Sequence, residues 1–328
     1  MHKDSLRAFF ALWEDESPTI EVRTSGSTGA PKAMQVEKSR MRASAKMTLD
    51  FLGIPPGANA LLCLPMQYIA GMMMAVRSRV GKLNLISTEP DGNPLKHIDR
   101  PIDFAAMIPL QVFNSLQTEV EALRLLSINH LIIGGAALDK ALEASLTDFP
   151  HCVWSTYGMT ETLSHIALRK INGADRSPHY TPLPGVTISQ TADGRLTIYA
   201  PHLHPETLTT NDLAEITPYG TFRILGRADN VINSGGVKLQ IENIEQALRP
   251  HLSHPFAITS VPSEKFGEEV ALLHTEAHLP ENEIIRICHQ SLQPYAVPRH
   301  IIKVNQIPTT ANGKIARGKA KEVAAMHR

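Results

Sequence analysis

Thr24 to Lys32 reads TSGSTGAPK, directly after the strand-like IEVR. Gly26 and Gly29 let backbone N–H groups converge on an anion without a Cβ in the way. The hydroxyls of Thr24, Ser25, Ser27 and Thr28 add donors, and Lys32 adds a mobile positive charge. Such a loop suits a polyphosphate. It is not a Walker A loop, because Gly26 is not followed at the required spacing by Gly-Lys-Ser or Gly-Lys-Thr. The same residue types also make an ordinary Ser/Gly surface turn, and the loop by itself leaves both readings open.

Two further strand ends carry chemistry. Gly134, Gly135, Ala136 and Ala137 follow the apolar LII, where a glycine pair admits a planar ring close to the backbone or simply makes a tight turn. Ser155 to Thr162 reads STYGMTET after CVW and sets an aromatic ring, a glycine, a hydroxyl and a carboxylate side by side. Tyr157 can stack on a purine, Thr160 can donate to a phosphate, and Glu161 can offer hard oxygen to Mg²⁺ directly or through water. A Thr-Glu pair alone is more often a helix cap. Asp212, in TTNDLAEI, follows a hydroxyl-rich stretch read as a turn and can accept from two ribose hydroxyls or stay solvated. Lys314 sits beside Gly313 in IPTTANGKIAR, a long cation in a polar loop, and most such lysines are merely solvated.

The elements that must position these groups alternate through the first two thirds of the chain. Helical patterns near Ser39 to Leu52 and Ala70 to Val80 flank the strand-like ALLCLP, and His130 to Ile133 and Cys152 to Ser155 are short apolar runs closed by Gly or Thr. This is the pattern of an α/β sheet whose buried strands end in functional loops, where ligands bind. From Pro178 the texture turns to short β-prone pieces, and VTISQTADGRLTIYA has hairpin chemistry at Ala192, Asp193 and Gly194. RADNVINSGGVKLQ and the helical IENIEQALRPH then open a smaller second domain. The expected division is 1–228 and 229–328. Glu242 is read as a possible cap of its helix, and the basic end beyond Lys314 as a solvated tail.

Bulk properties narrow the classes. The chain of 328 residues exceeds one typical domain, and 32 Lys+Arg balance 32 Asp+Glu, so no global field favours nucleic acid or anionic lipid. The three cysteines, Cys63, Cys152 and Cys288, lie far apart without CxxC spacing, which indicates neither a disulfide framework nor a zinc site and fits a reducing compartment. Phe9 to Trp13 reads as part of a short amphipathic helix, not a signal peptide, and no apolar stretch approaches the ~18 residues of a membrane span. The expectation is a soluble cytoplasmic protein with no nucleic-acid partner and no membrane span, with a homo-oligomer left open.

In order along the chain, TSGSTGAPK, GGA, YGMTET, the aspartate of TTNDL, GRADN, SGGVK and PTTANGKIAR resemble the motifs of the acyl-adenylate-forming enzymes, which include acyl-CoA synthetases, luciferases and peptide-synthetase adenylation domains. The resemblance covers most of the chain. It implies a large N-terminal domain with mixed sheets and an antiparallel extension, and a small mobile α+β C-terminal domain. It also implies ATP and Mg²⁺ as cofactors and coenzyme A as co-substrate. Gly135 and Ala136 would border adenine, with Tyr157, Gly158, Thr160 and Glu161 beside them, and Met159 would meet the acid substrate. Asp212 and Arg227 would contact ribose, though Asn211, Leu213 and Ala214 depart from the family's usual residues. Asp229 would be the hinge, Ser234, Gly235, Gly236, Val237 and Lys238 would line the pantetheine tunnel, and Lys314 would align the attacking carboxylate with the α-phosphate.

The resemblance also bears on the acid. Only 23 residues precede the phosphate loop, where family members usually carry a whole subdomain. Tyr68, in LPMQYIAGM, stands at the acyl-pocket wall where many relatives have histidine or another aromatic; with Gly71 and the nearby methionines it suits an aromatic acid, although a Met-rich helix is more often simple core. Within the family this compact form is most similar to o-succinylbenzoate–CoA ligases of menaquinone biosynthesis. Another aryl or acyl ligase, an enzyme loading a carrier protein, and a silent nucleotide-binding protein remain as alternatives.

Overall fold

The computed structural model describes residues 2–23, 33–309 and 315–327. They form two compact units: the first runs to Arg223, apart from Asn211–Ala214, which groups with the second, and the second continues from Ile224.

A seven-stranded sheet organises the first unit. Its strands lie in the order Asn84–Ser87, Asn59–Leu62, Phe104–Met107, His130–Ile133, Cys152–Gly158, His165–Lys170 and Thr181–Pro182. The first five run parallel and the last two are added antiparallel. Phe104–Met107 is buried throughout, as expected of a strand whose two faces are both covered. Helices Lys38–Leu52 and Ile69–Val80 pack on the sheet and each other, and the N-terminal helix His2–Glu14 buries Phe9 and Trp13 as its amphipathic pattern predicts. Thr19–Arg23 and Ala33–Glu37 pair antiparallel with Arg23 opposite Ala33. The predicted hairpin is present as Thr187–Gln190 and Arg195–Tyr199.

In the second unit, four antiparallel strands, Val237–Gln240, Val231–Ser234, Gly267–His274 and Phe256–Ser263, lie in that order, and His300–Lys303 pairs parallel with Gly267–His274. The side-chain period of two sends Ile258, Val270 and Leu272 to one core, with helices Ile241–Leu248 and Glu281–Ser291. Ala257, Ala271 and Leu273 go to another, with Ala320 and Ala324 of helix Arg317–Met326.

That last helix corrects the expectation of a solvated basic tail. Lysines and arginines dominate the eye there, but Ala320 and Ala324 are i,i+4 neighbours on one face, fully buried. Arg317 at its start forks onto Glu245 (2.5 and 2.7 Å), which also accepts from the Ile258 N–H (2.9 Å). Asp212 likewise lies inside a strand, Leu208–Ile216, not after a turn. Glu242 makes no cap bond to its helix; it accepts from Asn230 and Gln240.

Candidate active site

The carboxyl ends of three adjacent parallel strands converge on one edge of the first unit's sheet. His130–Ile133 ends in Gly134, Gly135 and Ala136, and Cys152–Gly158 ends at Met159. A Cβ on Gly134 would fall 2.3 Å from Thr156 Oγ1, and one on Gly135 would fall 3.3 Å from Ile108 Cγ2, just past the third strand. Gly135 and Ala136 are thus brought to the same edge as Tyr157, Gly158, Met159, Thr160 and Glu161.

The strand before this motif is longer than the sequence predicts, running on through Tyr157 and Gly158, because it pairs with His165–Lys170 in a tight reversal. Gly158 is obligatory there: a Cβ would lie 2.2 Å from Ser164 O and 2.5 Å from His165 Cα. Thr160 and Glu161 occupy the turn, half-buried. Thr162, fully buried, staples it, its hydroxyl accepting from Met159 N–H (3.1 Å) and donating to Ser164 O (2.8 Å). Leu163 carries a positive φ of 64° and is 1% exposed, so burial holds the turn in a conformation costly for a leucine. The Tyr157 ring packs edge-on against Phe222 (5.3 Å) and beside Tyr180 (5.9 Å), which keeps one aromatic wall at the strand end.

Glu161 offers one carboxylate, and among the described residues no three His, Cys, Asp or Glu side chains could together hold a metal ion. One carboxylate suits Mg²⁺ that keeps waters and takes its remaining oxygens from substrate phosphates, so this donor set fits that ion.

Helix Ile69–Val80 contributes Tyr68, half-buried at its N-cap, and Gly71, whose side-chain space is filled by the Pro65 and Leu64 carbonyls. It also contributes a residue that the sequence reading passed over. Arg77 is 2% exposed, and no carboxylate among the described residues pairs with it. Its guanidinium donates to Ser164 Oγ (2.5 Å) and Thr48 Oγ1 (3.4 Å), while Nε has no partner among the described residues. Burial pushes its pKa down to about 10. Thr48 Oγ1 also bonds His165 Nε2 (3.0 Å), and burial, with Arg77 nearby, holds the His165 pKa well below its usual value. The available signal was an arginine, Arg77, directly after the apolar run MMMAV.

In the second unit Arg227 forks onto Asp229 (2.8 and 2.7 Å) and reaches Asp212 (3.4 Å). The Asp229 carboxyl is held below its usual pKa chiefly by that hydrogen bond. Ser234 and Val237 close a hairpin through Gly235 and Gly236, both at positive φ (58° and 85°), the backbone of a two-residue primed turn. The phosphate loop Thr24 to Lys32 and Lys314 lie outside the described residues.

A parallel sheet with a glycine turn, an aromatic wall and a Thr-Glu turn at its carboxyl edge defines a nucleotide-binding α/β protein. The family model for AMP-binding enzymes matches residues 15–194, more than half of the 328 residues, and the chain belongs to that family. It is similar to an acyl-CoA synthetase (AMP-forming)/AMP-acid ligase II-like protein from Dyadobacter fermentans, 34% identical with a TM-score of 0.67, covering 99% of this chain and 95% of that one. A 2-succinylbenzoate–CoA ligase of Bacillus mycoides is 25% identical, across 94% of this chain and 70% of that protein. The fold matches o-succinylbenzoate CoA synthetase from Bacillus subtilis in complex with its acyl-adenylate intermediate, with a TM-score of 0.79 at 21% identity, over 92% of this chain and 68% of that one. Among the described residues no helix is long and apolar enough to cross a membrane.

Proposed function

We propose that this enzyme uses ATP to convert a carboxylic acid to an acyl-adenylate and then transfers the acyl group to coenzyme A, with o-succinylbenzoate as the acid, in the cytoplasm. Family membership and the convergence of Gly135, Tyr157, Thr160 and Glu161 support the reaction class. Arg77 is the observation that carries the choice of acid. A buried guanidinium without a carboxylate is costly, and a ligand carboxylate would complete it. Its partner Ser164 lies three residues beyond Glu161. o-Succinylbenzoate has two carboxylates, one to be activated and one free to meet such a cation, and Tyr68 and Met159 suit its ring.

In the first step a carboxylate oxygen attacks the α-phosphorus and pyrophosphate leaves, so catalysis is mainly positioning and charge stabilisation. Lys32 and the amides of its loop would receive the pyrophosphate charge, Thr160 would donate to a phosphate oxygen, and Lys314 would bridge carboxylate and α-phosphate. Mg²⁺, held through Glu161, would supply further neutralisation of the phosphates. Asp212 and Arg227 would hold the ribose. In the second step, residues 229–328 would turn about Asp229 as a domain distinct from 1–228, withdraw Lys314 and present Ser234, Gly235 and Gly236 to the pantetheine arm.

The test supplies ATP, Mg²⁺, coenzyme A and a panel of acids including o-succinylbenzoate and matched monocarboxylates, and follows AMP and thioester mass together. Acid-dependent formation of both supports the ligase, with the aromatic diacid ranked first. AMP without free thioester, but with acylation of a phosphopantetheinyl protein, would replace coenzyme A by a carrier. Bound ATP with no turnover on any acid would refute the substrate assignment.

A further inference from the structure

Gly226 has a φ of 146°, and the space beside it is occupied: a Cβ there would meet Gln240 Nε2 at 2.3 Å and Cδ at 2.5 Å. Gln240 ends the strand Val237–Gln240 and folds its amide under this glycine. Nε2 donates to Arg227 O (2.9 Å) and to Glu242 Oε2 (2.5 Å). Both partners can only accept, which fixes the orientation of the amide. The other oxygen of Glu242 accepts from Asn230 Nδ2 (2.6 Å), so Arg227, Asn230 and the start of helix Ile241–Leu248 are tied by one side chain and its carboxylate.

We infer that Gln240 is a positioning residue for Arg227 in nucleotide binding, a role that rests on the ribose contact assigned to Arg227 above. The guanidinium of Arg227 is aimed by Asp229 and Asp212, both acceptors that a ribose hydroxyl would compete with. Those side-chain bonds are open to exchange when nucleotide arrives. The bond from Gln240 goes to the main chain, which a ribose does not contest, so it is what keeps Arg227 in place through the exchange. Gly226 is the complement of this device, since any side chain there would expel the amide. Gln240 also closes the strand that leaves the Gly235–Gly236 turn, and it links that hairpin to the same arginine.

The experiment measures equilibrium ATP affinity by calorimetry, without acid, for the whole chain, Gln240→Leu, Gln240→Glu, Arg227→Ala and the double variant Gln240→Leu/Arg227→Ala, with a thermal midpoint for each. Both Gln240 variants should weaken ATP binding about three- to tenfold, the loss of one hydrogen bond, while the fold persists. Gln240→Glu keeps the shape and cannot donate. In the Arg227→Ala background, Gln240→Leu should add nothing, because it acts through the missing side chain. Additive losses, or ATP binding unchanged in both Gln240 variants, would overturn the inference and leave the nucleotide assignment intact. A wild-type chain that binds no ATP would remove the assignment itself and the inference with it.

Discussion

Arg77→Met separates a binding arginine from a structural one, because the two roles have opposite consequences for stability. The site lowers the arginine pKa from 12.5 to about 10 with burial as the cause, so keeping it charged there costs on the order of 3 kcal/mol. Methionine removes that cost. It also removes the bonds to Ser164 and Thr48, a loss of roughly 2 kcal/mol net, and both hydroxyls retain His165 as a partner. The variant should be no less stable than the parent, and its thermal midpoint should stay within about 5 °C. Binding of a diacid should behave differently. A charge-assisted hydrogen bond contributes about 1.5–3 kcal/mol, so kcat/KM for o-succinylbenzoate should fall by about 10- to 150-fold. For a matched aromatic monocarboxylate it should hardly change. The assay is AMP release with each acid, beside a melting curve. Equal losses on both acids together with a clearly lowered midpoint would refute the reasoning and make Arg77 a packing residue.

Gly158→Ala forces a Cβ into the Ser164 carbonyl and His165 backbone, which cannot move aside as a side-chain tip could. A loss of about 2 kcal/mol or more is expected in denaturant titration, and a variant as stable as the parent would contradict the packing described. His165 is kept neutral in the folded state by burial and by Arg77, whereas the unfolded chain titrates near 6.5. The unfolded state then binds the extra proton, so stability should be level above pH 6.5 and fall as the pH drops below it, by up to about 1.4 kcal/mol per unit. His165→Gln should flatten that part of a pH series of urea unfolding curves, and an unchanged slope would count against a neutral buried histidine. Lys314→Ala should nearly abolish adenylate formation and spare thioester formation from supplied acyl-adenylate; equal loss of both half-reactions would sink the assigned role.

Local chemistry was legible along the chain wherever one segment carried the whole signal. The run HLII is a strand because three consecutive apolar residues meet a glycine turn, and IENIEQAL is a helix because Ile241, Ile244 and Leu248 fall on one face. STYGMTET offered residue types that suit a nucleotide, and the family resemblance was what set that reading above a helix cap. What needed the fold was every relation between segments distant in sequence. Arg77 looks like one more charge on a helix until Thr48 and Ser164 arrive from elsewhere and water is excluded. Gln240 looks like a surface polar residue until Gly226 leaves room for it. The basic C-terminal segment looks solvated because its net charge is visible in sequence, while the two alanines that dock it matter only against a sheet face built from other strands. Periodicity and residue type are properties of a few adjacent residues. Burial, by contrast, is set by what the rest of the chain places around them, and it is burial that sets Arg77 apart from an ordinary solvated arginine.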